Sequence, residues 1–103
     1  MTAEIVQTFA DYDKTGTAHW TYEIAAKDLM YQVGSLMKLV MQMKGERFAH
    51  GKSENELKEA ISDEVSDIIA DTLFLAHELG IDVSHAWDNM KKSDENKIEK
   101  RSK

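Results

Sequence analysis

At 103 residues and with no cysteine, the chain is expected to form one domain (residues 1–103) without disulfides or thiolate metal sites. Its net charge of −6, from 19 acidic against 13 basic residues, disfavours nonspecific binding to nucleic acid, and no apolar run approaches the roughly 18 residues needed to span a bilayer, so neither nucleic acid nor membrane is an expected partner. Met1 to Tyr12 lacks the basic and apolar stretches of a signal peptide, which together with the missing cysteine leads to the expectation of a cytoplasmic location.

Proline is absent, so glycine must do the punctuating. Residues 3 to 12 are expected to form a short helix with Ile5, Phe9 and Tyr12 on one face. A loop around Gly16, from Asp13 to Thr17, closes this N-terminal part, residues 1–18. The first long helix is expected from Trp20 to Lys44. In it Leu29, Val33, Leu36, Val40 and Met43 recur at spacings of 4, 3, 4 and 3, which predicts a buried stripe. Ala26, Met30, Met37 and Met41 form a second row beside it. Two apolar rows imply contact from more than one side, as in a bundle or at a dimer seam. Gly45 and Gly51 bracket a mostly polar loop, whose Glu46 and Arg47 could reach a groove mouth.

A second long helix is expected from Glu54 to Leu79. Ser53 and Glu56 form an S-x-x-E capping box at its start. Leu57, Ile61, Val65, Ile68, Thr72, Leu75 and Leu79 are its predicted buried stripe, widened by Ile69, Leu73 and Ala76. Gly80 stands at the natural C′ position. Asp82 is a good N-cap for a third main helix, whose Ala86, Trp87 and Met90 are expected to point inward. Residues 93–103 are a charged tail in which only Ile98 is apolar, so its last turns are expected to fray or pack on a partner. No segment alternates as a strand would. The expected fold is therefore all-α: two long antiparallel helices plus shorter N- and C-terminal helices, in a bundle completed by oligomerisation.

The chemistry-bearing pattern is on the second long helix. Glu64, Asp67 and Asp71 recur at spacings of 3 and 4, which stacks them in one line. Asp63 stands beside them, and no lysine or arginine occurs between Lys58 and Lys91. Stacked like charges repel, so either solvent bathes this face or a cation offsets it. Mg²⁺ suits such oxygen ligands, and a basic side chain from a partner helix would also serve. The first long helix carries a matching row, Asp28, Gln32 and Ser35, on the corresponding edge of its stripe. If the helices pack antiparallel, the two rows could face one another.

The stretch Glu64-Val-Ser-Asp67, followed by an apolar run and then Leu79-Gly80-Ile81-Asp82, resembles the second half of the MazG-type family of all-α nucleoside triphosphate pyrophosphohydrolases. That family shows E-x-x-D on a helix, then L-G-I-D leading into the next helix. Where it has E-V-G-E on its first long helix, this chain has Gln32-Val33-Gly34-Ser35, so both carboxylates are replaced and the first acidic motif is degenerate. Gly34 matches the family's glycine, which implies close helix approach. The resemblance covers roughly residues 20 to 101. It implies Mg²⁺-dependent hydrolysis of an NTP or dNTP to a monophosphate and diphosphate, that is, a nucleotide diphosphohydrolase acting on a phosphoric anhydride bond. It implies Glu64 and Asp67 as catalytic residues and principal metal ligands. Asp71, where the family often has an apolar or aromatic residue, and Asp28 would supplement them. Gln32, Ser35, Lys92, Asn96, Lys97 and Arg101 are the implied substrate contacts, the last four as phosphate ligands. Assembly into a homodimer or homotetramer is implied as well. The alternative is a non-catalytic member, a helical oligomerisation or nucleotide-sensing module. A third reading is a helical protein-interaction domain with no nucleotide link.

His19, His50, His77 and His85 share no metal-ligand spacing. No G-x-S-x-G and no P-loop occurs. The methionines of the first long helix read as core filler. Trp20 and Trp87 are expected to anchor helix packing, although an aromatic in a groove could stack on a base.

Overall fold

The structure is a computed structural model describing residues 1–14 and 20–102, with residues 12–14 and 102 described as backbone only. The described residues are helical, with no strand among them: α1 (Thr2–Lys14), α2 (Tyr22–Met43), α3 (Glu54–Glu78) and α4 (Val83–Ser102). The N-terminal helix runs two residues beyond the expected Tyr12, to Lys14. The rest of the loop expected around Gly16, and His19, lie outside the described residues, as does the side chain of Tyr12.

Local chemistry sets the helix ends. The Thr21 hydroxyl accepts a hydrogen bond from the Ile24 N–H at 3.2 Å and caps α2. The expected capping box starts α3: the Glu56 N–H donates to Ser53 Oγ, and the Ser53 N–H donates to Glu56 Oε1, both at 3.1 Å. The Ser53 N–H, and after it the Ser53 hydroxyl, hold the Glu56 carboxyl below the usual range. Asp82 caps α4 by accepting from the His85 N–H at 3.0 Å. Both long helices end alike. The Glu46 N–H reaches back to the Met41 carbonyl, and the Ile81 N–H to the Ala76 carbonyl. Gly45 (φ 76°) and Gly80 (φ 70°) take the left-handed position that this closure requires.

The two long helices pack on each other, and α1 packs on α3. Phe9 of α1 stacks at 4.4 Å on Phe74 of α3 and at 4.7 Å on Trp20, so Trp20 does anchor packing. The core is small: Ala25 and Leu39 from α2, and Leu57, Phe74 and Ala76 from α3. Gln42 is also buried. Its amide donates to the Phe48 carbonyl at 3.0 Å, which ties the 44–53 loop to the end of α2.

Three expectations are corrected here. The stripe predicted to be buried on α2 is half-buried at Leu29, Leu36 and Met43, but Val33 and Val40 are exposed, as are Met30 (78%) and Met37 of the neighbouring row. The most buried row on α2 is Ala25, Leu39 and Gln42, with Asp28, Gln32 and Ser35 half-buried between them, so the covered face is rotated towards the polar edge. On α3, Leu57 and Ala76 are buried as expected and Ile61, Ile68, Leu73 and Leu75 are half-buried, whereas Val65, Ile69, Thr72 and Leu79 are exposed and Asp71 and Phe74 are buried outside the predicted stripe. Periodicity reports how wide an apolar arc is, and the neighbour lies over its edge. Second, Gly34 does not serve close approach of α2 and α3: it is exposed, and a Cβ there would meet nothing within 4 Å. Third, Trp87 (58% exposed) and Met90, expected to point inward, are exposed, on an α4 that is helical through Ser102, which leaves packing on a partner as the other half of the expectation for its last turns. Its charged sequence offers too short an apolar row to hold it along the α2–α3 pair.

Candidate functional site

The contact row between α2 and α3 is unusually polar. The Ser35 hydroxyl donates to Glu64 Oε1 at 2.7 Å. Two turns towards the start of α2, and two turns onward along α3, the carboxyls of Asp28 and Asp71 lie close enough to act on each other. Two carboxyls so placed favour keeping a proton on one of them. The Gln32 amide donates to Asp28 Oδ2 at 3.4 Å, one turn along α2. The rows Asp28–Gln32–Ser35 and Glu64–Asp67–Asp71, expected from spacing alone to lie on corresponding edges, thus meet along one line.

Electrostatics follow from this crowding. Asp71 is only 3% exposed. Burial, then the pairing with Asp28 as acceptor for the Asp71 proton, then the charges of Asp28 and Asp67 push its carboxyl up to about 8. Asp67 is more exposed and is raised less far, chiefly by partial burial and then by the charges of Glu64, Asp28 and Asp63. Two buried carboxylate oxygens, Glu64 Oε2 and Asp71 Oδ2, have no hydrogen-bond partner. Orphaned acceptors of this kind are costly.

Beside this line lies a groove of about 620 Å³. Asp28 and Gln32 of α2 and Asp67 and Asp71 of α3 form its polar wall, and Ile5, Phe9, Trp20 and Ala70 form its apolar wall. Thr8 and Ser66 complete the lining, with their hydroxyls donating to the Glu4 and Ser62 carbonyls of their own helices. Of the residues singled out in the sequence, Asp28, Gln32, Asp67 and Asp71 therefore share one groove, and Ser35 and Glu64 sit in the adjoining seam. Lys92, Asn96, Lys97 and Arg101 are not brought there. All four are exposed on α4, and Lys92 lines a separate shallow depression with Asp88, Lys91 and Glu95. Sequence reasoning missed Thr8, Ser66 and Ala70, because nothing in their local pattern marks them. Ile5 and Phe9 were expected only as one face of the first helix, and Trp20 as a packing residue or an aromatic that could stack on a base.

The donors available to a cation are all oxygens, as Mg²⁺ prefers. Among the described residues, no three His, Asp or Glu side chains are disposed to hold a metal ion by themselves. The described residues therefore build no preformed metal cage. Comparison of the chain with protein-family models, curated proteins and solved structures gives no match.

Proposed function

We propose that the chain is a MazG-like nucleoside triphosphate pyrophosphohydrolase of the cytoplasm. In it α2 and α3 form an antiparallel hairpin presenting carboxylates to Mg²⁺ and the substrate phosphates. The observation that carries this reading is the line of acids at the α2–α3 seam, running from half-buried Glu64 past exposed Asp67 to buried Asp71, in which Glu64 and Asp71 each keep a buried oxygen without a partner among the described residues. Carboxylates stacked three and four residues apart repel unless neutralised, and among the described residues no lysine or arginine lines the groove. The pairing of Ser35 with Glu64 and of Asp28 with Asp71 is what antiparallel packing gives. Glu64 and Asp67, with Asp71 and Asp28 in support, would hold Mg²⁺, which supplies charge neutralisation at the phosphates and an activated water. In the reaction, water adds to the α-phosphorus, the bond to the bridging oxygen breaks, and diphosphate leaves. Gln32 and Ser35 would act as neutral contacts in place of the family's carboxylates. Lys92, Asn96, Lys97 and Arg101 could reach the phosphates only if α4 folds over or comes from a second copy.

Self-association belongs to the same reading. At ~100° per residue, Val33 and Val40 turn away from the seam in the same sense as Val65 and Ile69. In an antiparallel pair both sets face one side, opposite the groove. That side carries the exposed valines and Ile69. A second hairpin laid there would complete a four-helix bundle.

A non-catalytic nucleotide-sensing module is the second reading. It is favoured by Ser35 and Gln32, whose donors occupy Glu64 and Asp28 where the family has two further acids. One experiment separates the two: incubate the protein with a panel of NTPs and dNTPs plus Mg²⁺ and assay diphosphate. Release that disappears in Glu64→Ala and Asp67→Ala supports the enzyme. Nucleotide-dependent thermal stabilisation without diphosphate supports the sensor. Neither effect with any nucleotide removes both.

A further inference from the structure

Helix α4 (Val83–Ser102) stands apart from the rest of the chain. Among the described residues, the substantial helix contacts are those of α2 with α3 and of α1 with α3, and every α4 side chain from Val83 to Arg101 is exposed. Most helical stability in proteins comes from packing an apolar face, so α4 lacks its main source of stability until a surface covers it. Its own pattern points to that surface. Val83, Trp87, Met90, Asp94, Lys97 and Arg101 recur at spacings of 4, 3, 4, 3 and 4, which lines them up in one seam. The first half of the seam is apolar, with Trp87 58% and Met90 44% exposed, and residues 83–90 hold no lysine or arginine. The second half is charged, and residues 91–101 carry five basic side chains against three acidic ones. We propose that α4 pairs with α4 of a second copy, antiparallel, about a twofold axis level with Lys92. In that register Val83 shares a layer with the partner's Arg101, Trp87 with the partner's Lys97, and Met90 with the partner's Asp94. Each half then supplies what the other lacks. Lys97 and Arg101 lay their hydrocarbon stems along Trp87 and Val83, and the indole face attracts the cation. Ile98, 64% exposed, borders the seam on the Trp87 side and meets the partner's Trp87. Asp94 comes beside the partner's Lys91. A parallel pair would set the two basic halves together and align the helix dipoles, so the charge pattern selects the antiparallel one. This contact is separate from the α2–α3 side given above to a second hairpin, and it needs neither nucleotide nor metal. Two different twofold contacts on one chain build tetramers or longer assemblies.

The chain has no cysteine, so a single introduced cysteine can carry a nitroxide label at a chosen point of α4. Ala86→Cys, Ser93→Cys and Lys100→Cys stand seven residues apart on one flank of the seam. Each is made in the full chain with Val33→Asp, which removes the hairpin contact, so that failure of the hairpin reading is seen separately. Electron paramagnetic resonance then reads the label-to-label distances at about millimolar chain concentration. With a rise of about 1.5 Å per residue, the antiparallel pair gives its shortest distance at Ser93→Cys. The distances at Ala86→Cys and Lys100→Cys are expected to be longer by roughly 10–15 Å. In sedimentation equilibrium, Trp87→Ala is expected to weaken the same association at least about tenfold, and Lys97→Glu by a smaller factor. Thermal melting checks that α1 to α3 stay folded, as expected of variants in a helix that packs so little on them. Equal distances at the three labels would mean a parallel pair, and no dipolar coupling at any of them would mean no pair. Association untouched by Trp87→Ala would mean another surface. Each of these outcomes overturns the proposal.

Discussion

The two sides of the α2–α3 pair invert the usual arrangement of a small helical protein. Towards the seam and groove lie Asp28, Gln32, Ser35, Glu64 and Asp71, all buried or half-buried. Away from the groove lie Met30, Val33, Met37, Val40, Val65 and Ile69, all exposed. Monomeric proteins rarely leave a large contiguous apolar patch open, and they rarely bury carboxyls without partners. The reading proposed above gives both features on one pair of helices a single explanation, in which one side meets a cation-bearing ligand and the other a second copy of the chain.

Four perturbations break or sharpen that contrast. The largest effect is expected at the point that holds α1 over the groove. Phe74 is 3% exposed and stacks on Phe9, so Phe74→Ala should cost ~3–5 kcal/mol, measured by urea unfolding. A cost below ~1 kcal/mol would mean that the groove wall is held elsewhere. Next is the buried acid. The Asp71 carboxyl, raised to about 8, keeps its proton in the folded chain, whereas the unfolded chain releases it near pH 4. Stability from this group is therefore full below about pH 4 and falls as pH rises towards about 8. Asp71→Asn should be more stable than the parent near pH 8, by ~2 kcal/mol, with the gap closing near pH 4. Parallel melting curves across that range would contradict the seam electrostatics.

On the opposite side, Val33→Asp should weaken self-association at least about tenfold, ~1.4 kcal/mol, while leaving helicity intact. Sedimentation equilibrium reads this directly, and a parent chain that stays monomeric at high concentration would remove the apolar half of the contrast. The smallest effect concerns a feature remote from both sides. Ser53→Ala removes the α3 cap and should cost ~1 kcal/mol, with no change in assembly or ligand binding.

What was legible in the sequence divides by the range of the interaction. Ser53, Glu56, Gly80 and Asp82 act on their own or adjacent turns, and the helix ends stand where these residues place them. Pairing of the Asp28–Ser35 and Glu64–Asp71 rows could be anticipated from spacing, because helical residues three and four apart share a face. Which arc of α2 would meet α3 could not. Val33 and Gln32 lie on adjacent arcs, and the choice between them depends on what else packs nearby, including surfaces outside the chain. Ile5 and Thr8 reach the groove only because Phe9 docks on Phe74, a contact across 65 residues with no local mark. The outward position of Trp87 shows the same limit: an aromatic residue in a mostly charged helix does not dictate its own burial.

The central claim is that a divalent cation relieves the acids of the seam. It is tested most directly by thermal melting near pH 8 with millimolar Mg²⁺ against KCl of equal ionic strength. The account predicts a higher melting temperature with Mg²⁺, and loss of that difference when Glu64→Gln and Asp67→Asn are combined. Identical melting in the two salts, or a Mg²⁺ effect that survives both substitutions, would contradict it.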